Sequence, residues 1–317
     1  MASEIRVGTS GWSYPTGGGA WNGVFYPARR PPRFDELAWY AEHFDTVEVN
    51  STFYRMPEAP LTSRWVERTP RGFLFSVKLF QKFTHPDMYL ARDGVTDWNL
   101  SVGDVDAFRA GVDPLASAGR LAAVLMQFPP SFHAMPETRD YLDWLMRAFT
   151  AFPLVVELRH RSWDDDGDGT RALLSGGGAS RVLIDDPFTH VAGTSHGPRT
   201  QEPENPGTGT PEPSLMYLRL HGRNRAAWWE HDASEDRYNY LYSPEELEPV
   251  AEVASDAATA GRRVLMYLNN HFSAKAVANA AVLKSRLGQL LPGDYPLEMV
   301  ERYPDLAGIV TTPPSLL

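Results

Sequence analysis

Pairs of polar residues stand at the ends of several apolar, strand-length runs in this sequence. Glu48 and Asn50 close the run at 46–50, and Glu157 and Arg159 close the run at 154–159. Because side chains alternate between the two faces of a strand, the members of each pair share a face. Polar residues with matching positions on other runs are Lys78, Gln127, Asp185, Tyr217, Arg219, His221, Tyr267, Asn269 and His271. Charged groups are costly inside buried strands, so this pattern predicts a convergent polar pocket at the strand ends.

Three roles for Glu48 and Glu157 stay open at this point. Paired carboxylates can act as general acid and base, or as acid and nucleophile on a sugar, with His221 as a third catalytic candidate. They can also neutralise the cations of Lys78, Arg159 and Arg219. Finally, they can bind a divalent metal, with the candidate ligands Glu48, Glu157, Asp185, His221 and His271. No other cofactor is evident from the sequence.

The basic residues of this set predict a small anionic ligand. Arg159, Arg219 and Arg223 present planar guanidinium groups that suit phosphate or carboxylate. Only four of the 30 basic residues are lysines, so Lys78 at a strand end is notable.

Aromatic and amide side chains complete the predicted binding set. Aromatic rings in strand-end loops can stack on a sugar or a base, and the candidates are Trp12, Tyr54 and Trp163. The amide candidates are Asn50, Gln127, Asn269 and Asn270. His85 lies beyond the end of its run, and we interpret it as a residue of the rim.

Eight strand-length runs alternate with amphipathic helical patterns in about 280 residues, which predicts a closed parallel barrel of the (β/α)8 TIM type. The runs are Ile5–Thr9, Thr46–Asn50, Phe73–Leu79, Leu121–Gln127, Leu154–Arg159, Arg181–Asp185, Leu215–His221 and Arg263–Asn269. A doubly wound sheet is the alternative, but no glycine-rich phosphate-binding fingerprint follows any run. Polar residues at the carboxyl ends of the runs would meet at the face that carries active sites in such barrels.

Domain organisation follows from the same pattern. We predict a single barrel domain over residues 1–317. The segment at about 193–213 is rich in Gly, Pro, Thr and Glu and lacks a helical period, so we interpret it as a flexible insertion.

Composition narrows the classes of partner. The chain has 317 residues, no cysteine and a formal net charge of -10. The missing thiols exclude disulfides and thiolate metal sites, so any metal site must use oxygen and imidazole ligands. The negative charge disfavours nucleic acid as a partner. No apolar stretch has the length of a signal peptide core or a membrane span, so we expect a cytoplasmic protein with no membrane partner.

The sequence also resembles the domain of unknown function 72 (YecE-like) family. The resemblance rests on GTSGWSY at 8–14, WNGVFYP at 21–27, FDTVEVNSTFYRMP at 44–57 and FSVKLFQKFTH at 75–85. It continues with LMQFPPSF at 125–132, VVELRHRSW at 155–163, YLRLHGR at 217–223 and YLNNH at 267–271. These motifs span nearly the whole chain in order. The resemblance implies a TIM-type barrel with a site at its strand ends, and it implies no particular reaction.

Three functional hypotheses remain open. The first is an enzyme, of the hydrolase, lyase or isomerase type, that acts on a small anionic sugar- or nucleotide-like substrate. The second is a protein that binds nucleic acid or another polyanion without turnover. The third is a hydrolase or isomerase that depends on a divalent metal.

Overall fold

The computed structural model of this chain describes residues 4–92, 94–190, 199–200, 214–226, 228 and 236–313. The predicted insertion at 193–213 therefore lies outside the described residues, apart from residues 199–200. Those two residues form a short strand that pairs in parallel with residues 189–190.

Eight strands form one parallel sheet that is nearly closed into a barrel, which confirms the predicted (β/α)8 fold class. Along the sheet the strands follow the order β1, β8, β7, β6, β5, β4, β3, β2. Each strand lies within two residues of a predicted run at both ends. The strands are β1 (Ile5–Thr9), β2 (Thr46–Val49), β3 (Leu74–Lys78), β4 (Leu121–Gln127), β5 (Leu154–Glu157), β6 (Ala179–Asp185), β7 (Leu215–Leu220) and β8 (Arg263–Leu268).

Helices connect the strands in the described part of the chain. They are α1 (Glu36–His43), α2 (Ser51–Tyr54), α3 (Ala59–Glu67), α4 (Gln81–Thr84), α5 (Pro86–Leu90), α6 (Val102–Ser117), α7 (Pro136–Ala148), α8 (Ser162–Asp165), α9 (Gly167–Gly176), α10 (Pro244–Thr259), α11 (Lys275–Arg286) and α12 (Leu297–Arg302). In this part of the chain, no helix combines the length and the apolar character that crossing a membrane requires.

The described residues group into two compact units. The terminal unit comprises the described residues of 1–47, 183–205 and 214–317, and the central unit comprises residues 48–182. The polar strand ends divide between them, so each unit carries its own part of the predicted set.

In the terminal unit, β1 and the start of β2 approach each other closely around Gly8. A side chain at Gly8 would run into the carbonyl oxygen of Thr46. The hydroxyl of Tyr40 donates to that same oxygen at 3.1 Å, and the Tyr267 hydroxyl bonds the Thr46 side chain at 2.6 Å. Only glycine allows this backbone approach, because any Cβ atom would displace a hydrogen-bonded carbonyl.

In the central unit, a salt bridge ties the turn after β3 to a helix. The Lys82 ammonium donates to both carboxylate oxygens of Asp104, at 2.9 and 3.0 Å. Asp104 also belongs to the capping box of α6, where it pairs with Ser101. The short helix α4 is thus held against the start of α6, and this arrangement fixes where the chain runs beyond β3.

We expect Gly8→Ala to lower the free energy of unfolding by about 3 kcal/mol, because the added methyl group has to push apart β1 and β2. Urea-induced unfolding followed by circular dichroism measures this change. Gly176→Ala is the matched control, since nothing lies within 4 Å of a Cβ atom there. The control should leave stability unchanged or raise it by up to about 1 kcal/mol. Equal stability of the two variants would contradict the proposed close approach.

Candidate functional site

In the central unit, the strand register brings three of the predicted polar residues to one face. Lys78 of β3 is level with Leu125 of β4, and Gln127 of β4 is level with Glu157 of β5. Because Leu125 and Gln127 are two residues apart, they point to the same side. Lys78, Gln127 and Glu157 therefore share a face at the carboxyl ends of adjacent strands.

Glu157 ends β5 with no exposed surface, and it is paired with Arg159. The Arg159 Nε atom donates to Oε1 of Glu157 at 2.6 Å. The Arg159 side chain keeps 22% of its surface exposed, and its two terminal nitrogens have no hydrogen-bond partner among the described residues. A buried carboxylate thus holds the guanidinium by one edge, while the fork at its far end faces outward.

Lys78 is half-buried at the end of β3, and its ammonium lies over an aromatic ring. The Nζ atom is 3.9 Å from the centroid of Phe53 in α2, a favourable cation–π distance. The Lys78 carbonyl accepts a hydrogen bond from the Thr52 hydroxyl at 2.6 Å. Helix α2 therefore anchors both ends of this residue, its main chain and its charged group.

His85 lies at the junction of α4 and α5, close to the same cations. Its ring meets Phe53 edge to face at 4.9 Å, and Nδ1 is 2.9 Å from the Thr84 hydroxyl. Burial, together with the nearby charges of Lys78 and Arg159, lowers the pKa of His85 to about 3. The imidazole is therefore neutral at physiological pH. Lys78, His85, Glu157 and Arg159 are called the Arg159 cluster below.

His85, which the sequence places at the rim, packs against Phe53 in the structure and lies within the Arg159 cluster. It follows the end of β3 by seven residues, but α4 turns the chain back so that its ring reaches Phe53. One sequence signal did point to this histidine, because it ends FSVKLFQKFTH, a stretch that carries part of the family resemblance.

Three further predicted residues lie in or next to this part of the central unit, besides Gln127. Glu48 of β2 is fully buried and Gln127 is largely so. Asn50 lies at the start of α2, and its buried Oδ1 atom has no hydrogen-bond partner among the described residues. Tyr54, at the end of α2, is exposed over 60% of its surface, so its ring is accessible for stacking.

Trp163 differs from the predicted stacking platform. Its side chain has no exposed surface, and its indole N–H donates to the carbonyl of Phe132 at 2.8 Å. The Phe132 ring stacks on it at 5.5 Å. Because the side chain is fully buried, neither ring face is open to a ligand. Its contacts with Phe132 anchor the loop after β4 to the start of α8. It is therefore a packing residue.

In the terminal unit, Arg219, His221 and Asn269 form a buried chain of contacts. Nη1 of Arg219 lies 3.4 Å from Nε2 of His221, and Nδ1 of His221 lies 3.0 Å from the Asn269 amide group. Both ring nitrogens of this predicted catalytic histidine are thus engaged. If the Asn269 amide turns its oxygen to Nδ1, the ring can donate there and accept from Arg219 at Nε2.

Asp185 is also fully engaged, by Arg223 and Tyr242. The Arg223 guanidinium donates to both carboxylate oxygens at 2.9 and 2.8 Å, and the Tyr242 hydroxyl donates at 2.9 Å. Burial and the adjacent Asp185 charge raise the pKa of Tyr242, which keeps its hydroxyl protonated. Glu246 at the start of α10 accepts a further bond from Arg223 at 3.1 Å.

Asp185 was predicted to share a face with the polar residues at the other strand ends, and the structure places it on the opposite face of β6. Residues 181, 183 and 185 share one face of β6 because side chains alternate. Arg181 on that face forms a salt bridge with Asp164 of helix α8. Asp185 therefore lies on the face that turns towards the helices, where its hydrogen bonds join the loop after β7 to α10.

The other predicted residues of the terminal unit make contacts within its loops. Asn270 is fully buried, and its amide donates to the Tyr240 carbonyl and to Asn279, both at 2.8 Å. His271 stacks on Tyr14 at 4.3 Å, and burial lowers the pKa of His271 to about 4. Trp12 is half-buried, and its carbonyl accepts a bond from Tyr26. These contacts support loop packing at the ends of β1 and β8.

The metal-ligand candidates do not assemble within the described ranges. In that part of the chain, no group of three or more His, Asp or Glu side chains is arranged to hold a metal ion. The nearest partners of Glu157 and Asp185 are arginines, and His221 faces Arg219. Arginine beside a would-be ligand opposes cation binding.

Comparison with known proteins identifies the family of this chain. The profile of the family described as "Protein of unknown function DUF72" matches residues 6–298. This chain belongs to the DUF72 family. Its relatives include the UPF0759 protein YunF of Bacillus subtilis, 27% identical over 281 residues, which cover 87% of this chain and 92% of YunF. The UPF0759 protein YecE of Escherichia coli is 29% identical over 161 residues, 49% of this chain and 54% of YecE.

Solved DUF72 structures share the fold. A DUF72 family protein from Thermotoga maritima has a TM-score of 0.72 and 30% identity, and the match covers 90% of this chain and all of the other. A DUF72 family protein from Enterococcus faecalis also has a TM-score of 0.72, with 24% identity, 90% coverage of this chain and 95% of that one. The expected family and fold are thereby confirmed.

We expect this DUF72 protein to lose stability on mild acidification. An unfolded histidine has a pKa of about 6.5, and the native pKa values of His85 and His271 lie near about 3 and about 4. Above about pH 6.5 neither group affects folding. Below it the unfolded chain binds more protons, so each group lowers stability by up to about 1.4 kcal/mol per pH unit.

Urea midpoints at about pH 7, 6 and 5 measure this slope. His85→Gln and His271→Gln should each flatten the slope relative to the wild type, and the double variant should be flatter than either. If both single variants keep the full wild-type slope, other groups are responsible for it.

Proposed function

We propose that this protein is an enzyme that acts on a small anionic, sugar- or nucleotide-like substrate, and that the Arg159 cluster binds the anionic group. The observation that carries this proposal is that the Arg159 guanidinium is hydrogen-bonded at one edge only in the described part of the chain. Its Nε atom is occupied by Glu157, and its terminal nitrogens have no partner among the described residues. An arginine fixed at one edge is pre-organised to bind two oxygens of a phosphate or carboxylate with the other.

The charge around this guanidinium supports the same conclusion. The ammonium of Lys78 and the guanidinium of Arg159 both act on the His85 ring, so the two cations share one neighbourhood. The Phe53 ring stabilises the Lys78 ammonium through the cation–π contact. An anion placed between two partly buried cations is favoured more strongly than one at an exposed surface, because water screens it less.

Glu48 and Glu157 are the proposed proton-transfer groups. Both are fully buried carboxylates, and Glu157 has the additional task of holding Arg159 in place. A carboxylate next to the bound anion can accept or deliver a proton at a hydroxyl group of the substrate. His221 stays a catalytic prediction for the terminal unit, where Arg219 and Asn269 contact both of its ring nitrogens.

The two alternatives receive less support. A polyanion-binding protein would use the same cations, but the net charge of -10 opposes long-range attraction to nucleic acid. A metal-dependent reaction lacks a grouped ligand set in the described ranges. Steep weakening of binding with salt, seen only for long polyanions, would favour the first alternative over the proposed enzyme.

Arg159→Gln should weaken the binding of inorganic phosphate at least about tenfold, because it removes a charged, two-pronged donor. Isothermal titration at constant ionic strength measures the change. Arg55→Gln is the matched control in the same unit, since its guanidinium is 80% exposed and pairs only at the surface with Glu58. Equal phosphate affinity in the two variants would rule out Arg159 as the anion-binding residue.

Glu48→Gln and Glu157→Gln should separate catalysis from binding. Phosphosugars, nucleotides and sugar acids are first screened for turnover by the wild type. Glutamine at 157 can still accept the bond from Arg159, so KM should change little while kcat falls at least about 100-fold. Unchanged kcat in both variants would show that neither carboxylate transfers a proton in the reaction.

A further inference from the structure

We propose that His85 is a third ligand-binding residue of the Arg159 cluster and that it contributes an uncharged N–H donor from Nε2. This inference rests on the proposed function, because it assigns the recognition of the same anion. It adds a contact of a different chemical kind from the two cations. A neutral N–H group donates a hydrogen bond to a lone pair on a ligand oxygen. This donor does not depend on the protonation of the protein.

The His85 ring is largely buried, and its two nitrogens have different surroundings. His85 is 8% exposed, and Phe53 packs edge-on against it. Its Nδ1 atom contacts Thr84, whereas Nε2 has no hydrogen-bond partner among the described residues. Nε2 is not among the buried side-chain atoms that lack a partner in the described residues, so it reaches the accessible surface, where a ligand oxygen can approach it.

The hydrogen bond with Thr84 determines which nitrogen of the His85 ring carries the proton. The Thr84 side chain is buried, and Nδ1 of His85 is the one partner of its hydroxyl among the described residues. If Nδ1 carried the proton, the hydroxyl hydrogen would be left without an acceptor. The hydroxyl therefore donates to Nδ1, and the ring proton resides on Nε2. The ring thus presents an N–H group, not a lone pair, to its unpaired side.

The groups that face the ring keep it uncharged. Lys78 from β3 and Arg159 from the end of β5 oppose a second proton on His85, and their effect together with burial exceeds the opposing effect of Glu157. Phe53 from α2 offers only an aromatic surface. The imidazole therefore stays neutral while the two cations attract the anion, and its N–H group supplies direction without adding charge.

Sulfate is the first probe, because its charge is constant over the relevant pH range. In the wild type, the Kd for sulfate should change less than about twofold between about pH 7.5 and 5.5 at constant ionic strength. A histidine with an ordinary pKa of about 6.5 would become cationic over this range and tighten binding several-fold. Tightening of that size that disappears in His85→Phe would overturn the inference and leave the proposed function standing.

Variants test whether the ring contacts the ligand. His85→Phe keeps an aromatic ring against Phe53 but removes the donor, and it should weaken sulfate and inorganic phosphate binding about tenfold. His85→Gln retains an N–H donor and should stay within about threefold of the wild type. His133→Gln, at an exposed histidine of the same unit, is the control and should bind as the wild type does. Wild-type affinity of His85→Phe would overturn the inference.

Ring nitrogen chemical shifts provide a readout that needs no ligand. Nitrogen NMR of the wild type should show His85 protonated on Nε2 only, without titration down to about pH 5. Protonation on Nδ1, or titration near pH 6.5, would overturn the inference whatever the binding data show. Absence of sulfate and phosphate binding at every pH would instead overturn the proposed function and, with it, this assignment.

Discussion

A carboxylate that is fully removed from water needs a cation or several hydrogen-bond donors beside it, and Glu157 meets this requirement through Arg159. The arrangement of the central unit depends on that pair. Because Glu157 occupies the Nε edge of the guanidinium, Arg159 cannot turn freely, and its terminal nitrogens point in one direction. Lys78 and His85 can contribute to binding an anion because the fixed charge of Arg159 lies next to them.

The terminal unit shows the same chemistry with a different outcome. Asp185 is as deeply buried as Glu157, but Arg223 takes both of its oxygens and Tyr242 adds a third bond. Glu246 then occupies another nitrogen of the same guanidinium. An ion pair saturated in this way joins loops and helices together. An ion pair that leaves the terminal nitrogens of its arginine without a protein partner is suited to a ligand, and this difference distinguishes the two clusters.

Much of this fold was predictable from the sequence, because buried parallel strands read as short apolar runs. The face shared by Lys78, Gln127 and Glu157 was predictable too, since it follows from alternation along each strand. What the alternation could not give was the path of the chain between strands. His85 returns to the cluster only because α4 turns back, and Lys82 fixes that turn by pairing with Asp104, 22 residues later.

Side chains whose partners come from distant parts of the sequence were equally hard to place. Trp163 reads as a loop aromatic, but Phe132 covers it from 31 residues away. Asp185 reads as an inward strand end, but Tyr242, 57 residues later, draws it into the helical layer. In both cases a hydrogen bond across the fold decides the role, and no local pattern contains that information.

The scarcity of lysine has a practical chemical consequence. None of the four lysine side chains is exposed, since Lys82 and Lys284 are buried and Lys78 and Lys275 are half-buried. The exposed basic side chains are arginines, which do not react with acylating reagents at neutral pH because they stay protonated. An amine-selective label therefore meets few competing side-chain amines, and protection of Lys78 from acetylation becomes a direct report on whether its strand end is occupied.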